Sequence, residues 1–194
     1  MSALRPSILL DRDGTLHREL THAPRGFDAL ELFAGVPERL AALVQRGFAL
    51  VVITNQSAVA RGALEFGELQ RVHAELARTF AAAGAPLAAL YVCPHHPSEG
   101  APPYRRECAC RKPKSGMLRR AAHELELDLA RSWMIGAALR DMQAGLAVGT
   151  RAVLVETGKG AQEKLRLGAL AERVVVVPDI TAAIEHVLAH SQGK

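Results

Sequence analysis

The chain has 194 residues, 49% of them apolar, and carries 24 Lys and Arg against 20 Asp and Glu for a formal charge of +4. That apolar content can bury a core, the length suits one domain, and an intrinsically disordered chain is excluded. An aromatic share of 4% leaves little to stack on bases, so nucleic acid is not an expected partner.

In chain order, residues 7–10 are a fully apolar run that stops at Asp11, as a buried strand does. Residues 37–46 predict a helix: Pro37 suits a first turn, Leu40, Leu43 and Val44 make a stripe, and Gly47 marks the stop. Residues 49–53 are a second buried strand. A longer helix over 65–83 puts Phe66, Leu69, Val72, Leu76 and Phe80 on one face and Gly84 at its end. A strand over 88–92, a helix over 117–125, a strand over 133–135 and a short helix over 141–147 follow. Strands over 152–155 and 174–177 and a last helix over 181–190 complete the chain.

Apolar strands alternating with helices predict an α/β fold, a Rossmann-like doubly wound parallel sheet with helices on both faces. It is expected to form a single domain over residues 1–194, with no large cap domain. Residues 80–98 lack Asp, Glu, Lys and Arg but are broken by Gly84, Pro86, Pro94 and Pro97, so no membrane span is expected. The run Ile8-Leu9-Leu10 is too short for a signal-peptide core, and the expected location is the cytoplasm.

In open α/β sheets ligands bind beyond the carboxyl ends of the strands. At the first such end stands Asp11-Arg12-Asp13-Gly14-Thr15. Two carboxylates two residues apart can hold a hard divalent cation, or divide labour between nucleophile and acid/base. Taken alone, a D-x-D-G is more often a solvated turn. Thr54-Asn55-Gln56 adds a hydroxyl and two amides at the second strand end, and Arg111-Lys112 adds cations after the third strand and its long loop. Acidic pair, polar donors and cation together describe a site for a phosphoryl group.

All three cysteines fall between Cys93 and Cys110, in Cys93-Pro94-His95 and Cys108-Ala109-Cys110. Three thiolates and an imidazole make the closed Cys₃His set of structural zinc, with three unrelated buried cysteines as the bland alternative. His96 is a rival ligand to His95. The loop between them has almost no apolar residues to order it by burial, so zinc would fix Arg111 and Lys112 at the site edge.

Leu10-Asp11-Arg12-Asp13-Gly14-Thr15, Thr54-Asn55-Gln56, Cys110-Arg111-Lys112-Pro113 and Met134-Ile135-Gly136 resemble the four motifs of haloacid-dehalogenase-type phosphatases. Within them the resemblance is nearest to the D,D-heptose 1,7-bisphosphate phosphatases. Their relatives, the histidinol-phosphate phosphatases, share the zinc loop. The resemblance implies a monomeric phosphatase acting on a small phosphorylated sugar, with catalytic Mg²⁺ and structural Zn²⁺. Asp11 would be the nucleophile and Asp13 the acid/base. Thr54, Asn55, Arg111 and Lys112 would bind substrate, and Asp11, Asp13 and Asp141 would hold Mg²⁺, Asp141 weakly or through water. Cys93, His95, Cys108 and Cys110 would hold Zn²⁺, and His95 is preferred over His96 on this ground.

One departure stands out. Where the family carries a Mg²⁺-ligating Asp after Gly136, this chain has Ala137 and then Ala138. Three readings remain open: an engineered inactive variant, a paralogue with altered or lost activity that binds sugar phosphates, and an enzyme that tolerates the loss. Other signals are discounted. Thr157-Gly158-Lys159-Gly160 is read as a surface loop, because Val153 stands where a Walker motif needs Gly. His73 and His123 are expected at the surface or its boundary, and Met117 and Met142 in the core.

Overall fold

A computed structural model describes residues 4–19 and 30–191. Six strands, β1 (Ser7–Leu10), β2 (Ala49–Asn55), β3 (Leu87–Cys93), β4 (Trp133–Gly136), β5 (Arg151–Val155) and β6 (Val174–Val177), pair in the order β3-β2-β1-β4-β5-β6. Every pairing is parallel. The chain steps outward from β1 to β3, returns to the other side of β1 for β4, and steps outward again. β1 and β4 therefore adjoin where the strand order reverses, the place at which such sheets open a crevice.

Alternate strand residues feed two cores, which is why the strands read as unbroken apolar runs. Ile8, Leu10, Leu50, Val52, Ile135 and Val153 face one side, under α1 (Val36–Gln45) and α6 (Ile180–His190). Leu9, Val51, Ile53, Met134 and Leu154 face the other, under α3 (Gly116–Glu124) and α4 (Leu139–Leu146). Helix α2 (Phe66–Ala82) sends Leu76 and Phe80 into the first core and Leu69 into a small cluster with Val59 and Leu64. Met117 and Met142 are buried in the second core, as expected.

The predicted strands and helices are all present, with ends displaced by one or two residues. The largest displacement has a physical cause. α4 begins at Leu139, because the Asp141 carboxylate reaches back to accept the Ala138 N–H at 3.0 Å and caps the helix from inside its first turn. The unpredicted elements are the single turn α5 (Gly160–Glu163) and 3₁₀ turns at Leu129–Arg131, Lys164–Arg166 and Gly168–Arg173, all too short to carry an apolar period. Between β1 and α1, residues 20–29 lie outside the described residues. No helix among the described residues is long and apolar enough to cross a membrane.

Candidate active site at the carboxyl edge of the sheet

Asp11 leaves the end of β1 with its N–H donated to the Ile135 carbonyl of β4, so it stands in the crevice where the strand order reverses. Lys112 arrives there from the cysteine loop and is 1% exposed. Its Nζ donates to Asp11 Oδ1 at 2.8 Å and to the Ile53 carbonyl at 2.6 Å. The same Nζ lies 2.8 Å from Asp141 Oδ1. That contact is one of charge, because Oδ1 is buried without an aligned hydrogen bond. Burial works against the ammonium, but Asp11 and Asp141 more than offset it and keep Lys112 protonated. Asp141 is pushed up to about 6, first by burial and then by the neighbouring Asp11 charge.

The raised Asp141 pKa predicts a stability effect. A carboxyl that titrates at 3.8 unfolded and near 6 folded contributes stability below pH 3.8, and that stability is lost as pH rises through 6. Asp141→Asn should therefore stabilise the Mg²⁺-free protein at pH 8 by on the order of 1–2 kcal/mol, and by little at pH 4. Thermal unfolding of both proteins at the two pH values checks this; a gain that does not depend on pH counts against it.

Asp13 sits beside this pair in a denser net. Arg12 donates to its Oδ1 at 2.8 Å, and Gln56 Nε2 donates to Oδ2 at 2.6 Å and to Thr54 Oγ1 at 2.8 Å. The Thr54 hydroxyl is 3.5 Å from Asp13 Oδ2. Burial raises the Asp13 pKa, but Arg12 and then His17 and Gln56 prevail, holding it below the ordinary carboxylate value. Arg12 is itself buried and shares a 2.8 Å hydrogen bond with His73 Nε2. Desolvation and the Arg12 charge bring His73 down to about 3, so the ring is neutral and accepts. The sequence expectation for His73 is thus corrected: it faces inward as the partner of a buried guanidinium, whereas His123 is exposed. His17 is also buried, with Nε2 3.5 Å from Asp13 Oδ1.

Two candidate substrate residues take supporting places. Asn55 pairs with the backbone of Lys112 in both directions, donating to its carbonyl and accepting its N–H at 3.1 Å each. Arg111 donates to the His95 carbonyl at 3.1 Å and braces the cysteine loop. Sequence reasoning gave no role to Arg12, His17 or Arg140, counted Gln56 only as an amide at the strand end, and placed His73 outside the site. Arg140 faces Asp141, Asp11, Glu163 and Glu19, whose charges outweigh its burial and raise its pKa. Its place next to Asp141 in the first turn of α4 was the one legible signal for it.

The segment read as a surface loop also belongs to this edge. Thr157 Oγ1 donates to the Gly14 carbonyl at 2.6 Å, and Lys159 pairs with Glu19 at 2.6 Å. A Cβ on Gly158, at φ +58, would lie 2.8 Å from the Gly14 Cα. Two backbones touch there, which only glycines permit.

The crowding of the buried Asp11 and Asp141 carboxylates, which raises the Asp141 pKa, is what a cation beside them would relieve. Their donor set fits Mg²⁺ completed by water, with Ala137 supplying nothing.

Cys93, His95, Cys108 and Cys110 bring one ligand atom each to within 4.8 Å of all the others. Cys93 Sγ lies 3.6 Å from Cys108 Sγ and 3.7 Å from His95 Nδ1, and His95 Nδ1 lies 3.3 Å from Cys110 Sγ. A tetrahedron with metal–sulfur arms of about 2.3 Å has edges of about 3.7 Å, so the four atoms are spaced for one metal ion and not for a disulfide. His96 is turned away, its Nδ1 accepting the Ser98 and Glu99 N–H groups at 3.3 and 2.9 Å.

A model of the HAD-hydrolase-like family matches residues 109–183. The chain is 42% identical over 156 residues to the D-glycero-beta-D-manno-heptose-1,7-bisphosphate 7-phosphatase of Escherichia coli (strain K12), covering 79% of this chain and 81% of that one. It is 35% identical over 181 residues to the enzyme of the same name from Bordetella bronchiseptica, covering 93% and 97%. The crystal structure of the D,D-heptose 1,7-bisphosphate phosphatase from B. bronchiseptica, complexed with magnesium and phosphate, superposes with a TM-score of 0.82 over 95% of this chain and 98% of that one, at 35% identity.

Proposed function

The chain belongs to the heptose-bisphosphate phosphatases of the HAD-like hydrolases, and from that premise we propose that it removes the 7-phosphate of D-glycero-β-D-manno-heptose 1,7-bisphosphate through an aspartyl-phosphate. The observation that carries this reading is the buried Asp11–Lys112–Asp141 cluster with Asp13 beside it at the reversal of strand order.

Lys112 engages Asp11 Oδ1 and leaves the other oxygen to attack phosphorus. The Asp11–phosphorus bond forms as the sugar oxygen departs, and that oxygen takes a proton from Asp13. In the second half Asp13 removes a proton from water, the water oxygen bonds to phosphorus, and Asp11 leaves as a carboxylate. The depressed Asp13 pKa makes it a carboxylate before substrate enters. A phosphoryl dianion beside it opposes the field of Arg12 and raises the Asp13 pKa, so Asp13 takes up a proton from solvent as substrate binds. Thr54 and Lys112 hold phosphoryl oxygens, while Asn55 and Arg111 act through the backbone of the cysteine loop. Mg²⁺ would be held by the Asp11 carboxylate and the Asp13 carbonyl, with Asp141 through water, and would neutralise charge on the transferring group. Zn²⁺ would be held by Cys93, His95, Cys108 and Cys110 in a structural role.

Phosphate release from a panel of the heptose bisphosphate, hexose phosphates and histidinol phosphate, with and without Mg²⁺, tests the assignment. The heptose bisphosphate should give the highest kcat/KM; a preference for histidinol phosphate overturns it. Elemental analysis should find about one zinc per chain, and Cys108→Ser should lose the zinc and at least tenfold in activity. A zinc-free protein whose loop resists proteolysis as well as the loaded protein contradicts the structural role.

A further inference from the structure

At the opposite, amino edge of the sheet lies a cavity of about 420 Å³, within the range of small-molecule sites. Arg5, Arg46, Arg131 and Arg151 line it, together with Trp133 and His190, and none of the described residues that line it is acidic. Two of the guanidinium groups are fixed in place. Arg131 is paired with Asp128 at 2.7 Å and donates to the Leu4 carbonyl at 2.7 Å. Arg151 stacks over the Trp133 ring at 4.9 Å and donates to the His190 carbonyl at 3.1 Å. Arg5 and Arg46 have no carboxylate partner among the described residues, and neither takes part in the chemistry above.

Asp128 offsets Arg131, but the guanidinium charges of Arg5, Arg46 and Arg151 repel across the concavity, and an anion between them removes that cost. Guanidinium forks match phosphoryl oxygens in geometry as well as charge, and donors already held in place lose less freedom on binding. The volume exceeds what a phosphate ion alone fills. The Trp133 face is already covered by Arg151, which leaves no aromatic platform for a nucleobase. We propose that this cavity binds a sugar-sized phosphorylated metabolite by its phosphoryl group, with Arg5 and Arg46 closing on it against Arg131 and Arg151. The six residue steps from Arg5 to Asp11 follow β1 for about 20 Å, so a ligand here is out of reach of the proposed nucleophile.

The chain contains a single Trp, and it is Trp133, so tryptophan fluorescence reports on this cavity directly. The full-length zinc-loaded Asp11→Asn protein, which cannot turn the probe over, is titrated with glucose 6-phosphate. A saturable change with a midpoint near or below about 1 mM is expected. Arg5→Ala and Arg46→Ala should each weaken it about tenfold, and Arg46→Lys less. In the otherwise wild-type enzyme Arg46→Ala should leave phosphatase turnover unchanged. Glucose should be silent and inorganic phosphate weaker than the sugar phosphate. No saturable change up to about 10 mM overturns the proposal, as does a response that survives both Arg→Ala substitutions. Inorganic phosphate binding as tightly as glucose 6-phosphate removes the sugar from it. A short DNA duplex that saturates at lower concentration than glucose 6-phosphate replaces it with a polyanion surface.

Discussion

Asp11→Asn is expected to lower phosphate release by about 10⁴-fold or more while leaving the fold intact. The amide oxygen still accepts from Lys112 Nζ, and Lys112 keeps its contacts with Asp141 and the Ile53 carbonyl, so the crevice retains its shape. What is lost is the anionic oxygen proposed to bond to phosphorus. Removing that charge also relieves Asp141, whose carboxyl is raised partly by Asp11, so the melting temperature should not fall. Single-turnover phosphate release and thermal unfolding measure the two halves separately. Turnover that survives the substitution removes Asp11 as the nucleophile. A collapse of the melting temperature would instead assign it to holding the buried Lys112.

Ala137→Asp is expected to tighten Mg²⁺ binding by about 10- to 100-fold and to raise activity at limiting Mg²⁺ by a similar factor. Ala137 is buried beside Gly14, and a Cβ built on Gly14 would lie 3.4 Å from the Ala137 Cβ. The charges already present are balanced, with Arg12, Lys112 and Arg140 facing Asp11, Asp13 and Asp141. A fourth carboxylate tips this balance toward a dication. Activity measured across a Mg²⁺ series checks the result. If the new Asp pairs with Arg140 instead, the Mg²⁺ dependence does not move, and the chain is then a sugar-phosphate binder rather than a weakened enzyme.

The strands were legible because burial on both faces writes them as plain apolar runs, and a candidate site followed because the ends of β1 and β2 carried Asp11 and Thr54 and the loop after β3 carried Lys112. The cysteine set was legible from spacing, although choosing His95 over His96 leaned on family likeness; in the fold, the turn at Ser98 and Glu99 occupies His96. Arg12 and His73 were not legible. Nothing local says that a helix histidine will face a guanidinium 61 residues away. The same holds for Gly158, whose partner Gly14 lies at the far end of the chain and meets it only when β1 and β5 are both in place.

Lys112 has a consequence for how the molecule matures. One side chain from the cysteine loop meets carboxylates from the ends of β1 and from α4, a carbonyl from β2, and through its backbone the Asn55 amide. Without that loop the two buried acids at the proposed catalytic edge would stand with their shared cation missing, whereas the two sheet cores draw most of their side chains from elsewhere. On the proposed zinc assignment, the metal-free protein is therefore expected to stay folded and to be at least tenfold less active, with activity returning when zinc is added back.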